Sequence, residues 1–228
     1  MELELVTDNV NSMREYFFSG LKNQRSLEHL EMDLFRWFRN ETEKAWALME
    51  AEESTYIRAQ VAARPDDVND SGIIAVNYYC KRMRYSQVIF LTSLLESAMK
   101  RECSRLSTTL GEKVMFEAAE LKGDPWSARK TFLERHGKFQ TPADQWRQIK
   151  DLLVLRNAIV HHNGERSLLT KEQRDILKKI AGIDLENFEV GIAKSYLDRA
   201  TESVCNLMEF LHNTINETID RALKPQAM

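Results

Sequence analysis

Chain breaks are scarce in this sequence. Eight glycines and four prolines are spread over 228 residues, so turns are few and the elements between them must be long. Apolar residues recur at threes and fours, and strand-like alternation is nearly absent. An all-α chain is expected. The 43% hydrophobic and 29% charged content is enough for one sizeable core or two small ones.

Taken in order, Asp8 to Leu21 forms a short amphipathic segment carrying Val10, Met13, Phe17 and Leu21. A long helix follows with Leu27, Leu30, Leu34, Phe38, Ala45 and Met49 on one stripe and Trp37 and Trp46 beside it. Arg64-Pro65-Asp66-Asp67 breaks it. From about Ile73 to Leu106 one very long helix, or two in line, has Val88, Leu91, Leu95, Ala98 and Met99 as its buried stripe, with Phe90 and Leu94 as a second apolar face. Asp124-Pro125 starts a helix that stops at His136-Gly137. Thr141-Pro142-Ala143-Asp144 announces another, with threonine as N-cap and proline at the first helical position. Thr170-Lys171-Glu172-Gln173 reads as a capping box opening a helix to about Ile180. The stretch IDLENFEVGI alternates weakly, as an extended connector or half a hairpin. From about Ala193 to Leu223 a last helix repeats Ala193, Tyr196, Ala200, Val204, Leu207, Leu211, Ile215, Ile219 and Ala222 without interruption. These elements imply a bundle of about four core helices (66–228) with an N-terminal helical extension (1–65).

The segment that carries chemistry is Gln145 to Glu165, QWRQIKDLLVLRNAIVHHNGE. On a helix Ile149, Leu153, Arg156 and Val160 share a face, which puts Arg156 in a register otherwise given to core residues. A buried guanidinium needs a partner, and Glu96 is proposed as that partner. The competing reading pairs Glu96 with Lys100, four residues on. Asn157 and His161 are also four apart. His161 and His162 fall in the last turn before Asn163-Gly164, a C-terminal stop signal.

Arg156 followed by Asn157, with His161 after a four-residue gap, resembles the Arg-x4-6-His signature of the HEPN superfamily of small all-helical domains. The similarity extends over about residues 70–222 and leaves 1–65 unexplained. The resemblance implies a metal-independent endoribonuclease of the toxin-antitoxin or phage-defence kind, acting as a homodimer and needing no cofactor. Cleavage would proceed by attack of the 2′-hydroxyl to give a 2′,3′-cyclic phosphate, in a cytoplasmic protein under the control of an antitoxin or nucleotidyltransferase partner. The alternative is a non-catalytic helical module of the same architecture that binds a protein, RNA or a nucleotide.

The residue chemistry fits the first reading. An imidazole titrates near neutrality and suits proton transfer, while a guanidinium stays charged and offers a planar fork to phosphate oxygens. Arg156 and His161 are the principal catalytic candidates. Asn157 would orient the histidine or bind phosphate, His162 is a second base, and Asn163 supports the turn. Five residues rotate a helix by about 140°, so Arg156 and His161 of one chain do not aim at one point. Fraying of the helix end, or two copies across a two-fold axis, would bring them together.

A formal charge of −3 gives no bulk attraction to a polyanion, so RNA contact would fall to local clusters: Lys81, Arg82 and Arg84; Lys100, Arg101 and Arg105; or Arg129-Lys130. Each could equally be a solvated helix face. His29, His136 and His212 read as surface or capping residues, and Trp37, Trp46 and Trp146 as core. Cys80, Cys103 and Cys205 lack paired spacing and read as reduced thiols, with no metal site. The start, MELELVTDN, has no basic or apolar targeting region, and no run approaches a membrane span.

Overall fold

The computed structural model describes residues 27–64, 69–111, 114 and 117–223. The expected segment Asp8 to Leu21, the break at Pro65-Asp66-Asp67 and the side chain of His29 lie outside the described residues. Six α-helices are described: α1 (Leu27–Ala63), α2 (Ser71–Leu110), α3 (Pro125–Gly137), α4 (Ala143–His162), α5 (Lys171–Leu177) and α6 (Lys194–Leu223). Single 3-10 turns occupy Ala118–Glu120 and Arg166–Leu168, and β1 (Ile183–Asp184) pairs antiparallel with β2 (Gly191–Ile192). The chain is mostly helical, as its sequence led us to expect, and the weakly alternating stretch closes into a minimal hairpin. No described helix is long and apolar enough to cross a membrane.

Two compact units divide the chain, Met1–Tyr78 and Tyr79–Met228. The division falls within α2. In the first unit α1 buries Leu30, Met32, Phe35, Arg39 and Trp46, while Phe38 and Met49 are exposed. The buried stripe is thus rotated by one residue from the expected one, because Phe35 and Trp46 hide more apolar area than Leu34 and Ala45 would. The side chain of Gln60 accepts the N–H of Asn69 at 2.9 Å, and Glu53 lies so close to Gly72 that a Cβ there would overlap its carboxylate.

In the second unit α2 buries Val88, Leu91, Leu94, Leu95, Ala98 and Met99, the residues read from its sequence, but Phe90 is 49% exposed. Asp124 caps α3 by accepting from the N–H groups of Trp126 and Ser127, with Pro125 in the first turn. A hydrogen bond from the Ser127 hydroxyl, and then these N–H bonds, hold its carboxyl below the usual range against the upward effect of burial. Thr170 and Gln173 form the expected capping box of α5, which ends at Leu177 rather than Ile180. α4 begins one residue later than expected, with Pro142 at the cap and no side-chain cap hydrogen bond, and the Thr141 N–H donates to Glu134 Oε1 at 2.7 Å. α6 packs on α4 and α3 through Tyr196, Ala200, Val204, Leu207, Leu211 and Ile215, the middle of its expected stripe. Ala193 precedes the helix, and Ile219 and Ala222 are not buried.

Helix directions follow from the tie points. Arg82 meets Asn163, while Gln148 meets Ser203 and Tyr85 meets Val190. Glu102 meets His212. α2 and α6 therefore run the same way, with α4 antiparallel to both.

Candidate functional site

α4 buries Ile149, Leu152, Leu155, Ala158 and Ile159. The expected register is off by one residue here as well. Leu153 and Arg156 are half-buried at the margin and Val160 is 43% exposed, so Arg156 does not occupy a core position. Placing Leu152, Leu155 and Ile159 inward keeps a guanidinium from being desolvated, a far larger cost than exposing one valine.

Arg156 consequently needs no buried acid. Its Nη1 donates to Asn157 Oδ1 at 3.0 Å, and the proposed pairing with Glu96 is not what the structure contains. Glu96 instead bridges Lys100 at 2.9 Å and Arg129 at 3.2 Å. The hydrogen bond from Lys100 is the main influence holding its carboxyl below the usual range. The i to i+4 reading of Glu96 and Lys100 is the one realised.

The helix stays regular to its end. Asn163 adopts the left-handed conformation at φ 53°, and the N–H groups of Asn163 and Gly164 both reach the Ala158 carbonyl, which closes the helix end. Fraying therefore does not bring His161 round to Arg156. His161 is exposed, His162 is half-buried, and their ring centroids are 6.4 Å apart with the rings tilted by 66°. Asn157, Val160 and His161 thus occupy the solvent side of α4, with Arg156 at the margin of its core stripe.

Residues distant in sequence hold this end in place. Arg82 Nη1 donates to Asn163 Oδ1 at 2.8 Å and to the Asn163 carbonyl at 3.3 Å, while its Nη2 meets Glu189 Oε1. Lys81 Nζ meets the other oxygen of Glu189 at 3.2 Å. Burial alone would raise the Glu189 carboxyl, but the hydrogen bonds and charges of these two cations outweigh it and hold it below the usual range. The Tyr85 hydroxyl donates to the Val190 carbonyl at 2.7 Å, and Val190 N–H donates to the Gly164 carbonyl at 2.8 Å. Burial, then the negative charge of Glu189, push the Tyr85 phenol upward despite Arg82, so it remains a neutral donor. Gly164 sits at φ 74°, and a Cβ there would stand 2.1 Å from the Tyr85 oxygen.

The other basic candidates are engaged inside the unit. Arg84 donates to the Ile192 carbonyl at 2.9 Å. Arg105 binds both oxygens of buried Glu102, at 2.7 and 2.9 Å, and also meets His212 and Asn216. Lys130 pairs with Glu134 at 2.6 Å beside the Trp146 ring. Arg101 is half-buried on α2. Of the expected RNA-contacting clusters, Lys81 and Arg82 alone are placed by these contacts at the histidine end of α4. Lys100, Arg101 and Arg105 lie along α2 toward its far end, about 27 Å or more from Arg82 by helical rise.

Two expected surface histidines have other settings. His212 stands 3.1 Å from Glu102, bridging α6 to α2, and His136 is buried with its ring 4.7 Å from that of Phe132. Trp46 and Trp146 are buried, as expected. The three cysteines are free thiols. Tyr85, Gly164 and Glu189 had no signal as site residues, because their roles depend on contacts between segments some eighty to one hundred residues apart.

Compared with protein-family models, with curated proteins and with solved structures, the chain matches none.

Proposed function

We propose that the chain is a HEPN-type endoribonuclease whose Tyr79–Met228 unit has a HEPN-like helical-bundle arrangement and which works as a homodimer, with the solvent sides of two α4 helices forming one cleft. The observation that supports this reading is the exposure of Asn157 and His161 on one side of an unfrayed helix, with Arg156 half-buried at its margin and bonded to Asn157. One helix turns Arg156 and His161 about 140° apart, so a second copy must complete the cleft. Val160, 43% exposed beside them, gives the contact apolar area.

In the proposed reaction His161 takes the proton from a 2′-hydroxyl, whose oxygen attacks the adjacent phosphorus. The phosphorus to O5′ bond breaks, and a proton from His162 or the symmetry-related His161 goes to the leaving oxygen. Arg156 offsets the charge that grows on the phosphate oxygens. Asn157, its carbonyl oxygen held by Arg156, directs its amide N–H groups outward to the phosphate or to His161. The products are a 2′,3′-cyclic phosphate and a 5′-hydroxyl. The biological setting is a toxin or defence effector in the cytoplasm, controlled by an antitoxin or nucleotidyltransferase partner.

The test is incubation of the purified chain with tRNA and with total RNA in EDTA, beside Arg156→Ala and His161→Ala. Cleavage leaving cyclic phosphate ends, lost in both variants, supports the proposal. Sedimentation of Val160→Asp addresses the dimer, which should dissociate.

A second reading, a non-catalytic helical module, is favoured by the engagement of Arg84, Lys100 and Arg105 in internal contacts, which leaves less basic surface for RNA. It is distinguished by RNA or protein binding without cleavage.

A further inference from the structure

Between α4 and α6 a cavity of about 440 Å³ opens to solvent, within the range of small-molecule sites. Its floor is apolar, formed by Ile149, Leu152 and Ala200; Gln148 and Ser203 on its wall are joined by a hydrogen bond, but the polar groups of Asp151, Tyr196, Lys179 and Arg199 are not paired with one another. Asp151 has no hydrogen-bond or ion-pair partner among the described residues, and neither does the hydroxyl of Tyr196, whose side chain is otherwise buried. Lys179 at the rim has no acid partner among the described residues, and Arg199 binds the Ala181 carbonyl without neutralising its charge. Two acids, Asp151 and Glu202, and two cations, Lys179 and Arg199, line this single cavity, and Asp151 pairs with neither cation.

That is an unusual arrangement for a purely structural groove. Charges this close on a surface of mixed polarity ordinarily pair or turn to water, and a half-buried carboxylate lacking donors is unfavourable. We propose that the cavity binds a small zwitterion, an amino acid or an aminoalkyl phosphate. Its ammonium meets Asp151 and the Tyr196 oxygen, its carboxylate or phosphate meets Arg199 and Lys179, and its carbon chain lies on Leu152 and Ile149. A lone amine would leave Arg199 and Lys179 without a counter-charge, and a lone acid would leave Asp151 without one. Only a molecule carrying both charges complements the whole lining. Burial holds the Asp151 carboxyl above its usual range against the effect of Arg147, and an incoming ammonium would relieve that. The site is on the α6 side of α4, away from Arg156 and His161, and the inference is independent of the nuclease reading.

The test titrates the full-length chain with L-alanine, L-leucine, L-lysine, L-glutamate and phosphoethanolamine, with n-propylamine and propionate as single-charge controls. Binding is read by calorimetry and by thermal shift at millimolar ligand. At least one zwitterion is expected to bind and raise the melting temperature, and the amino acid and phosphate arms separate the two ligand sources. Asp151→Asn and Arg199→Gln should each weaken it by about tenfold or more, while Tyr196→Phe, which keeps the buried ring, weakens it less. The proposal is overturned if no zwitterion binds, if propylamine binds as well as the zwitterion, or if binding survives unchanged in folded Asp151→Asn and Tyr196→Phe proteins.

Discussion

Arg82 donates to the side-chain oxygen of Asn163 at 2.8 Å, so a guanidinium on α2 holds the left-handed residue that terminates α4. The same guanidinium meets Glu189, and one cation thereby fixes both the helix end that carries His161 and His162 and the loop that passes beneath it. The proposed chemistry depends on that end being rigid.

Glu189 makes this clamp sensitive to acid. Its folded carboxyl titrates below the unfolded value of about 4.3, so its stabilising contribution is fully present above that value and is lost as pH falls through the folded one. Both partners are mostly buried, and Arg82→Ala should cost about 1–3 kcal/mol at neutral pH. Urea titrations from neutral pH downward should show the difference between wild type and Arg82→Ala shrinking in the acid limb. A constant difference would mean that Glu189 is not coupled to Arg82.

Gly164→Ala should be more damaging than its size suggests. The new methyl meets the Tyr85 oxygen at 2.1 Å and must adopt φ 74°, so a loss of about 2 kcal/mol or more is expected from strain and clash together. Tyr85→Phe in the same chain removes the closest atom, and denaturation of the double variant should recover part of the loss.

Leu152 and Leu153 test the register of α4. Leu152 is 1% exposed, and its replacement by alanine should cost about 2–5 kcal/mol. Leu153→Ala should cost well under half as much, because its side chain is only partly covered. The opposite order in urea denaturation would restore Arg156 to a core register.

Cys103 is expected to be inert. Burial, opposed by Arg129 and reinforced by Glu117 and Glu102, pushes its thiol up to about 12, so almost no thiolate exists at neutral pH. Labelling with iodoacetamide followed by mass spectrometry should modify Cys80 and Cys205 well before Cys103, whose reaction should await unfolding.

What was legible in the sequence was local. Asp124 before Pro125, and Thr170 three residues before Gln173, are caps whose partners lie within one turn, and the structure contains both. Stripes were legible where the apolar positions allowed a single choice, as in α2 and the middle of α6. They were misread by one residue where two choices existed. Leu152 and Leu153 are both leucine, and Leu34 competes with Phe35, so spacing alone left each helix free to turn by about 100°. Burial of the larger set, and exclusion of Arg156, decided the rotation. The clamp around Asn163 was illegible because Arg82, Tyr85 and Glu189 meet only after folding. The ion pairs of Glu96 were half legible, Lys100 being one turn away and Arg129 on another helix.

The most direct test of the nuclease proposal is RNA cleavage by the purified chain in EDTA, with product ends identified by mass spectrometry. Wild type should release fragments ending in 2′,3′-cyclic phosphate, and Arg156→Ala and His161→Ala should each fall by about a hundredfold or more. Cleavage that persists undiminished in both folded variants, or no cleavage of any RNA by the wild-type protein, would contradict it.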